Sequence, residues 1–283
     1  MTDAQHDPSF PSGVPSGEIS SEFVPETEEL LYERQGPIAF LTFNRPQARN
    51  ALTWAMYEGL FECCEHVDGD DRVKVLVLRG AGDKAFVAGT DISQFKVFST
   101  PEDALTYESN NNRYASRLES LTKPTIAMIR GACTGGGAAF ALCCDMRLVA
   151  PDVRFGVPIA RTLGNILSMQ NFVRLVSLIG PARTKDLIFT ARLIGAEEGR
   201  SIGVFNEIVE PERLEARTLE LAEQIAGNAP LTIRAAKMAV QRIVNKLRLE
   251  ETEDLILMCY MSEDFHEGVA AFMEKRKPQW QGR

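Results

Sequence analysis

The stretch Gly131–Asp145, GACTGGGAAFALCCD, sets three consecutive glycines between an apolar run, PTIAMI, and a run of small residues that reads as a helix. Glycine in a helix interior costs about 1 kcal/mol relative to alanine. Three together at a strand-to-helix junction therefore point to a need for bare backbone. Such a junction presents unpaired N–H groups at the positive end of a helix dipole. It suits an anion, either a phosphate or an oxyanion that develops during a reaction. Tight packing of the helix on its strand would ask for the same glycines.

Nucleotide motifs fit this turn poorly. A Walker loop ends in Gly-Lys-Ser/Thr, whereas Gly137 is followed by Ala138 and Ala139. The dinucleotide fingerprint G-x-G-x-x-G needs spaced glycines and an acidic residue at the end of the next strand, and MRLVA (146–150) has none. The serine-hydrolase elbow G-x-S-x-G is absent.

Outward from the turn, short β-prone runs alternate with helical patterns, which implies an α/β layout. LLYERQGPIAFLTFNRP (30–46) reads as two strands around a hairpin at Gln35–Gly36, followed by a helix over Leu52–Val67 and a buried strand in VKVLVLRG (73–80). Residues 97–121 are polar and irregular and read as a mobile helical cover. Phe172, Leu175, Val176 and Ile179 keep the spacing of an amphipathic helix. Leu219, Ala222, Ile225 and Ala226 mark another such helix, and Ala236, Val240, Ile243 and Leu247 a third. The expected organisation is a flexible Pro/Ser/Gly-rich extension over 1–27, a core over 28–210 and a helical region over 211–283.

The 283 residues are 45% hydrophobic and carry a net charge of -8. That balance argues against nucleic-acid and polybasic membrane partners. No apolar run reaches the ~18 residues of a membrane-spanning helix, and the first residues do not read as a signal peptide. The six cysteines include two adjacent pairs, Cys63–Cys64 and Cys143–Cys144, and form no C-x-x-C. They read as buried small hydrophobes in a reducing compartment, hence a cytoplasmic location. Three histidines without ligand spacing give no expectation of a metal.

KAFVAGTDI (84–92), together with GACTGGGAAFALCCDMRLVAPDVRFGVP (131–158), resembles the crotonase (enoyl-CoA hydratase/isomerase) superfamily. FNRPQARNALT (43–53) and AFMEKRKPQW (271–280) are similar to that family's first strand–helix junction and its C-terminal helix. The resemblance implies a ββα spiral with a helical C-terminal trimerisation region, assembled as a homotrimer or a dimer of trimers. It implies an acyl-CoA substrate, with coenzyme A entering as part of that substrate and no permanently bound cofactor.

By motif position, the backbone N–H groups of Thr90 and Gly136 would hold the thioester oxygen as it becomes an enolate. Coenzyme A would fall on Ala48, Arg49, Lys84, Phe86, Ala88, Asp91 and Ile92, with Lys275 or Lys277 reaching its phosphates. Asp91 could equally hold its own loop. Family hydratases carry glutamates where this chain has Ala139 and Ile159. Each positioned acid or base typically contributes about 10²- to 10⁴-fold, so ordinary hydration is not expected.

Three readings remain open. Acid–base groups could come from elsewhere: Glu102, Asp103 and Glu108, read as surface charges, or Cys133, read as core. Decarboxylation of a carboxyacyl thioester would need no protein base, and Arg161 could orient the carboxylate. The chain could also bind acyl-CoA without turnover, with Asn165, Ser168 and Gln170 shaping a polar wall.

Overall fold

The hairpin comes first because Gly36, at a φ of +56°, supplies the left-handed residue that a tight turn needs. It joins β1 (Leu30–Gln35) to β2 (Ile38–Phe43), with Gln35 opposite Ile38. The computed structural model describes residues 23–247 and 253–283. Residues 1–22 of the expected extension lie outside these, whereas Phe23 stacks on His66 and packs edge-on against Tyr32.

Next come α1 (Trp54–Gly69), capped by the Thr53 hydroxyl, then β3 (Val75–Gly80) and β4 (Ala85–Ala88). A 3-10 turn over Ile92–Val97 leads into α2 (Pro101–Glu119). β5 (Thr125–Ile129), β6 (Ala132–Thr134) and α3 (Gly136–Cys143) follow, then β7 (Met146–Val149), β8 (Arg154–Gly156) and the short α4 (Ile159–Thr162). The remaining elements are α5 (Met169–Thr190), broken at Gly180–Pro181, α6 (Ala196–Ser201), β9 (Glu207–Ile208), α7 (Pro211–Ala226), α8 (Pro230–Asn245), α9 (Glu253–Tyr260) and α10 (Glu263–Met273).

Two sheets result. One has the order β1-β2-β3-β5-β7-β9, parallel except for the first pair, and the other is β4-β6-β8, wholly parallel. Each pass of the chain therefore gives one strand to each sheet and then a helix: β3, β4, α2; β5, β6, α3; β7, β8, α4. This is the expected ββα spiral, reached through strand register. Period-two alternation divides each strand of the large sheet between two cores. Ala39, Leu41, Leu76 and Leu78 face the main core with α1 and α3, while Ile38, Phe40, Val75 and Val77 face α7.

Residues 97–121 depart from the reading as a mobile cover. Thr100 and Asp103 form a reciprocal capping box, and α2 then runs for 19 residues with Ala104, Tyr107, Ala115 and Leu118 buried. Arg113 and Tyr114 both bind Glu58, and Arg117 binds Asp68, so α2 is tied to α1. Its polar composition conceals a buried stripe. α8 differs in the opposite sense, since its apolar face is open: Val240 is 60% and Ile243 68% exposed. Five of the six cysteines are buried. Among the described residues, no helix is long and apolar enough to cross a membrane.

Candidate active site

The three glycines of the opening stretch meet three different demands. Gly135 has a φ of +53° and turns the chain off β6, its N–H donating to the Gly156 carbonyl at 3.1 Å. At Gly137 an added Cβ would sit 2.2 Å from the Val87 carbonyl oxygen, so here the glycine lets α3 lie against β4. Gly136 is different. Its Cβ position faces the Tyr57 hydroxyl, Leu52 and the Thr90 hydroxyl at 3.0, 3.1 and 3.3 Å, across the end of a cavity. As the first residue of α3, Gly136 has an N–H with no acceptor in its own helix.

Thr90 reaches the same place from β4. The bridge between Leu52 and Thr90 is made by Leu52 N–H to the Gly89 carbonyl and Asp91 N–H to the Leu52 carbonyl, each 2.9 Å. This pattern uses both polar groups of Leu52 and neither of Thr90. The Thr90 hydroxyl is engaged separately, at 2.7 Å from the Tyr57 hydroxyl and 3.3 Å from that of Tyr107.

The cavity at this point has a volume of about 560 Å³ and is bordered by Ala48, Arg49, Ala88, Thr90, Asp91, Ile92, Gly136, Ala139, Ile159 and Asn165. These ten expected residues come together. Lys84, Phe86, Cys133 and Arg161 do not. Phe86 and Cys133 are core side chains with 1% and 0% exposure, packed in the main hydrophobic core. Burial also pushes the Cys133 thiol well up, which makes it a poor proton donor or base. Lys84 is exposed and meets β6 through its carbonyl, which accepts from Ala132 N–H. Arg161 is exposed on α4 and borders a separate surface hollow with Arg276, Lys277 and Trp280.

Asp91 holds its loop. It accepts from Ser93 N–H and hydroxyl, and it pairs with Arg45, which also binds Glu29 and the Ala51 carbonyl. Burial raises its pKa, but the hydrogen bonds from Ser93 and Arg45 outweigh that and hold it below the usual carboxylate range.

The residue that sequence reasoning misplaced is Glu108. It is 4% exposed and borders the cavity from α2, while Glu102 stays exposed and Asp103 serves the helix cap. Glu108 Oε1 accepts from the Tyr260 hydroxyl at 2.6 Å, and Asn165 Nδ2 donates to the same Tyr260 oxygen at 3.0 Å. Burial raises the Glu108 carboxyl to about 7, with the Tyr260 hydrogen bond pulling the other way. Burial likewise raises Tyr107 to about 12 and Tyr57 and Tyr260 well above the ordinary phenol value. The signal for Glu108 lay in spacing. Ala104, Tyr107, Glu108, Asn111 and Ala115 follow the helical stripe at i, i+3, i+4, i+7 and i+11.

Comparison with known proteins places the chain in a family. The enoyl-CoA hydratase/isomerase family model matches residues 33–283. The short-chain-enoyl-CoA hydratase of Clostridium acetobutylicum is 36% identical over 257 residues, covering 89% of this chain and 97% of the relative. An enoyl-CoA hydratase/carnithine racemase from Magnetospirillum magneticum superposes with a TM-score of 0.75 at 33% identity, covering 91% of this chain and 97% of its own. A methylmalonyl-CoA decarboxylase in complex with 2-nitronate-propionyl-CoA superposes with a TM-score of 0.82 at 28% identity, covering 90% and 99%. The chain belongs to the enoyl-CoA hydratase/isomerase family and is a crotonase-superfamily enzyme of acyl-CoA chemistry.

Proposed function

We propose that this enzyme holds an acyl-CoA thioester with its carbonyl oxygen on the N–H groups of Thr90 and Gly136 and stabilises the enolate that forms there. The observation that carries this reading is that Thr90 and Gly136 border one cavity, a Cβ on Gly136 falling 3.3 Å from the Thr90 hydroxyl, while the Leu52 bridge uses no polar group of Thr90 and Gly136 opens α3. Enolate formation places charge on a single oxygen. Preorganised donors in a site shielded from water act on that charge strongly, each contributing several kcal/mol by the measure of oxyanion-hole mutants, about 2.7–4.

The nominal class is hydratase/isomerase, without the paired carboxylates that hydration uses. Ala139 and Ile159 border the cavity and offer only alkyl groups. Coenzyme A would lie along Ala48, Arg49, Ala88 and Ile92, and no permanently bound cofactor is required. The open apolar face of α8 supports self-association, as a homotrimer or a dimer of trimers.

A second reading, decarboxylation, is favoured by the structural likeness to the methylmalonyl-CoA decarboxylase complex. Loss of CO₂ yields the same enolate directly, so both readings share the oxyanion site. A panel of enoyl-, dienoyl- and carboxyacyl-CoA thioesters at high enzyme concentration separates them. Turnover of an enoyl substrate supports the first, and CO₂ release from a malonyl-type substrate supports the second. Tight binding with no turnover of any member would leave an acyl-CoA-binding protein.

A further inference from the structure

We propose that Glu108, carried into the cavity by α2 and oriented by Tyr260, is the group that takes the α-proton from a bound acyl-CoA and returns it. The proposal rests on the enolate reading above and adds the proton carrier that Ala139 and Ile159 cannot be. Three observations carry it.

The first is placement. Glu108 stands one residue from Tyr107, whose hydroxyl lies 3.3 Å from the Thr90 hydroxyl, and both side chains border the cavity that holds Thr90 and Gly136. The second is an unused oxygen. Oε1 accepts from Tyr260, while among the described residues Oε2 has no hydrogen-bond partner. At 4% exposure Glu108 stands in the cavity wall with one carboxylate oxygen available to a ligand. The third is the absence of a competing charge. Glu108 forms no salt bridge among the described residues; its neighbours Tyr57, Tyr107 and Tyr260 are phenols that burial keeps neutral.

The chemistry balances with this one group. The C–H bond at Cα breaks and its electron pair moves into the C–C–O system, leaving the negative charge on the oxygen at Thr90 and Gly136. The proton bonds to Oε2. Reversal gives the proton back to Cα, and delivery to the γ carbon of an unsaturated chain would move the double bond instead. Hydration asks for a second group to activate water, so a single carboxylate fits a proton shift better. The raised pKa, about 7, suits a group that must both accept and donate near neutral pH.

Butyryl-CoA incubated with the enzyme in D₂O tests this without knowledge of the natural acyl group, by NMR of the α-protons. The wild type should exchange them for deuterium. Glu108→Gln, which keeps an acceptor for Tyr260, should bind butyryl-CoA normally and exchange about 10²- to 10⁴-fold more slowly. Exchange at the wild-type rate in folded Glu108→Gln would overturn the proposal. Gly136→Ala sets a methyl against the approach of the thioester oxygen. Exchange lost there but kept in Glu108→Gln would leave the enolate reading standing and remove Glu108 from it. Exchange lost in Glu108→Gln but unchanged in Gly136→Ala would instead misplace the oxyanion site. Should Glu108→Gln fail to fold, the wild-type pH profile decides: exchange rising with one ionisation near neutrality supports Glu108, and a flat profile overturns it.

Discussion

The Tyr260 hydroxyl donates to Glu108 Oε1 across 2.6 Å, joining α9 to α2 beside the cavity. That bond stabilises the ionised carboxylate and so opposes the effect of burial. Tyr260→Phe should therefore move the midpoint of α-proton exchange to higher pH, leaving the plateau rate within the same order. An unchanged midpoint would mean that Tyr260 does not set the state of Glu108. Tyr57 and Tyr107, the other titratable groups near Glu108, stay neutral throughout this range.

Glu108 also links stability to pH. Its folded-state pKa is raised from 4.5 to about 7, so the unfolded chain ionises first as pH rises. Stability then falls between those two values by about 3 kcal/mol at most, and the loss persists above them. Glu108→Gln removes the cost. Its melting temperature should exceed that of the wild type by several degrees at pH 8, with the gap closing towards pH 5. A gap that is the same at both values would show that Glu108 is not buried as an acid.

Adjacent glycines should respond differently to the same methyl. Gly137→Ala drives Cβ into the Val87 backbone, at 2.2 Å from its carbonyl oxygen, and should destabilise the fold by about 1–3 kcal/mol or more. Gly136→Ala meets side-chain atoms at 3.0 Å or beyond and should fold while losing turnover. Thermal melts beside activity assays separate the two effects. Equal losses of stability would contradict the separate roles.

Arg161 lies outside the cavity, beside Arg276 and Lys277. Arg161→Ala should accordingly leave turnover of malonyl-type thioesters, if present, at its wild-type value. A large selective loss with such substrates would restore Arg161 as a carboxylate-orienting residue.

Ala139 and Ile159 both border the cavity. Carboxylates restored at both, in Ala139→Glu with Ile159→Glu, should introduce hydration of crotonyl-CoA, with each single variant far weaker. The decrease in absorbance of the conjugated thioester follows the reaction. No gain in a folded double variant would show that the cavity does not align water with the substrate.

Much of the fold was legible because its strands are short and apolar and its glycines stand at the turns between elements. Gly36 marked the hairpin, and Gly135–Gly137 marked the turn into α3. Residues two apart on one strand, which alternation puts on the same face, were harder. Ala88 and Phe86 share β4 with Val87, yet Phe86 is core while Ala88 borders the cavity. The motif names the strand, and only the packing of two sheets decides which side each residue meets. Glu108 was missed for a related reason. Its helix is polar overall, so the buried stripe through Ala104, Tyr107 and Ala115 was diluted by Ser109, Asn110 and Asn112. Its partner Tyr260 lies 152 residues away, a pairing that local pattern does not encode.

The oxyanion assignment is tested most directly by a crystal structure with a non-reactive acyl-CoA thioester bound. The expected result places the thioester oxygen about 2.7–3.1 Å from both the Thr90 and Gly136 nitrogens. A thioester oxygen bound away from those two N–H groups would contradict the assignment.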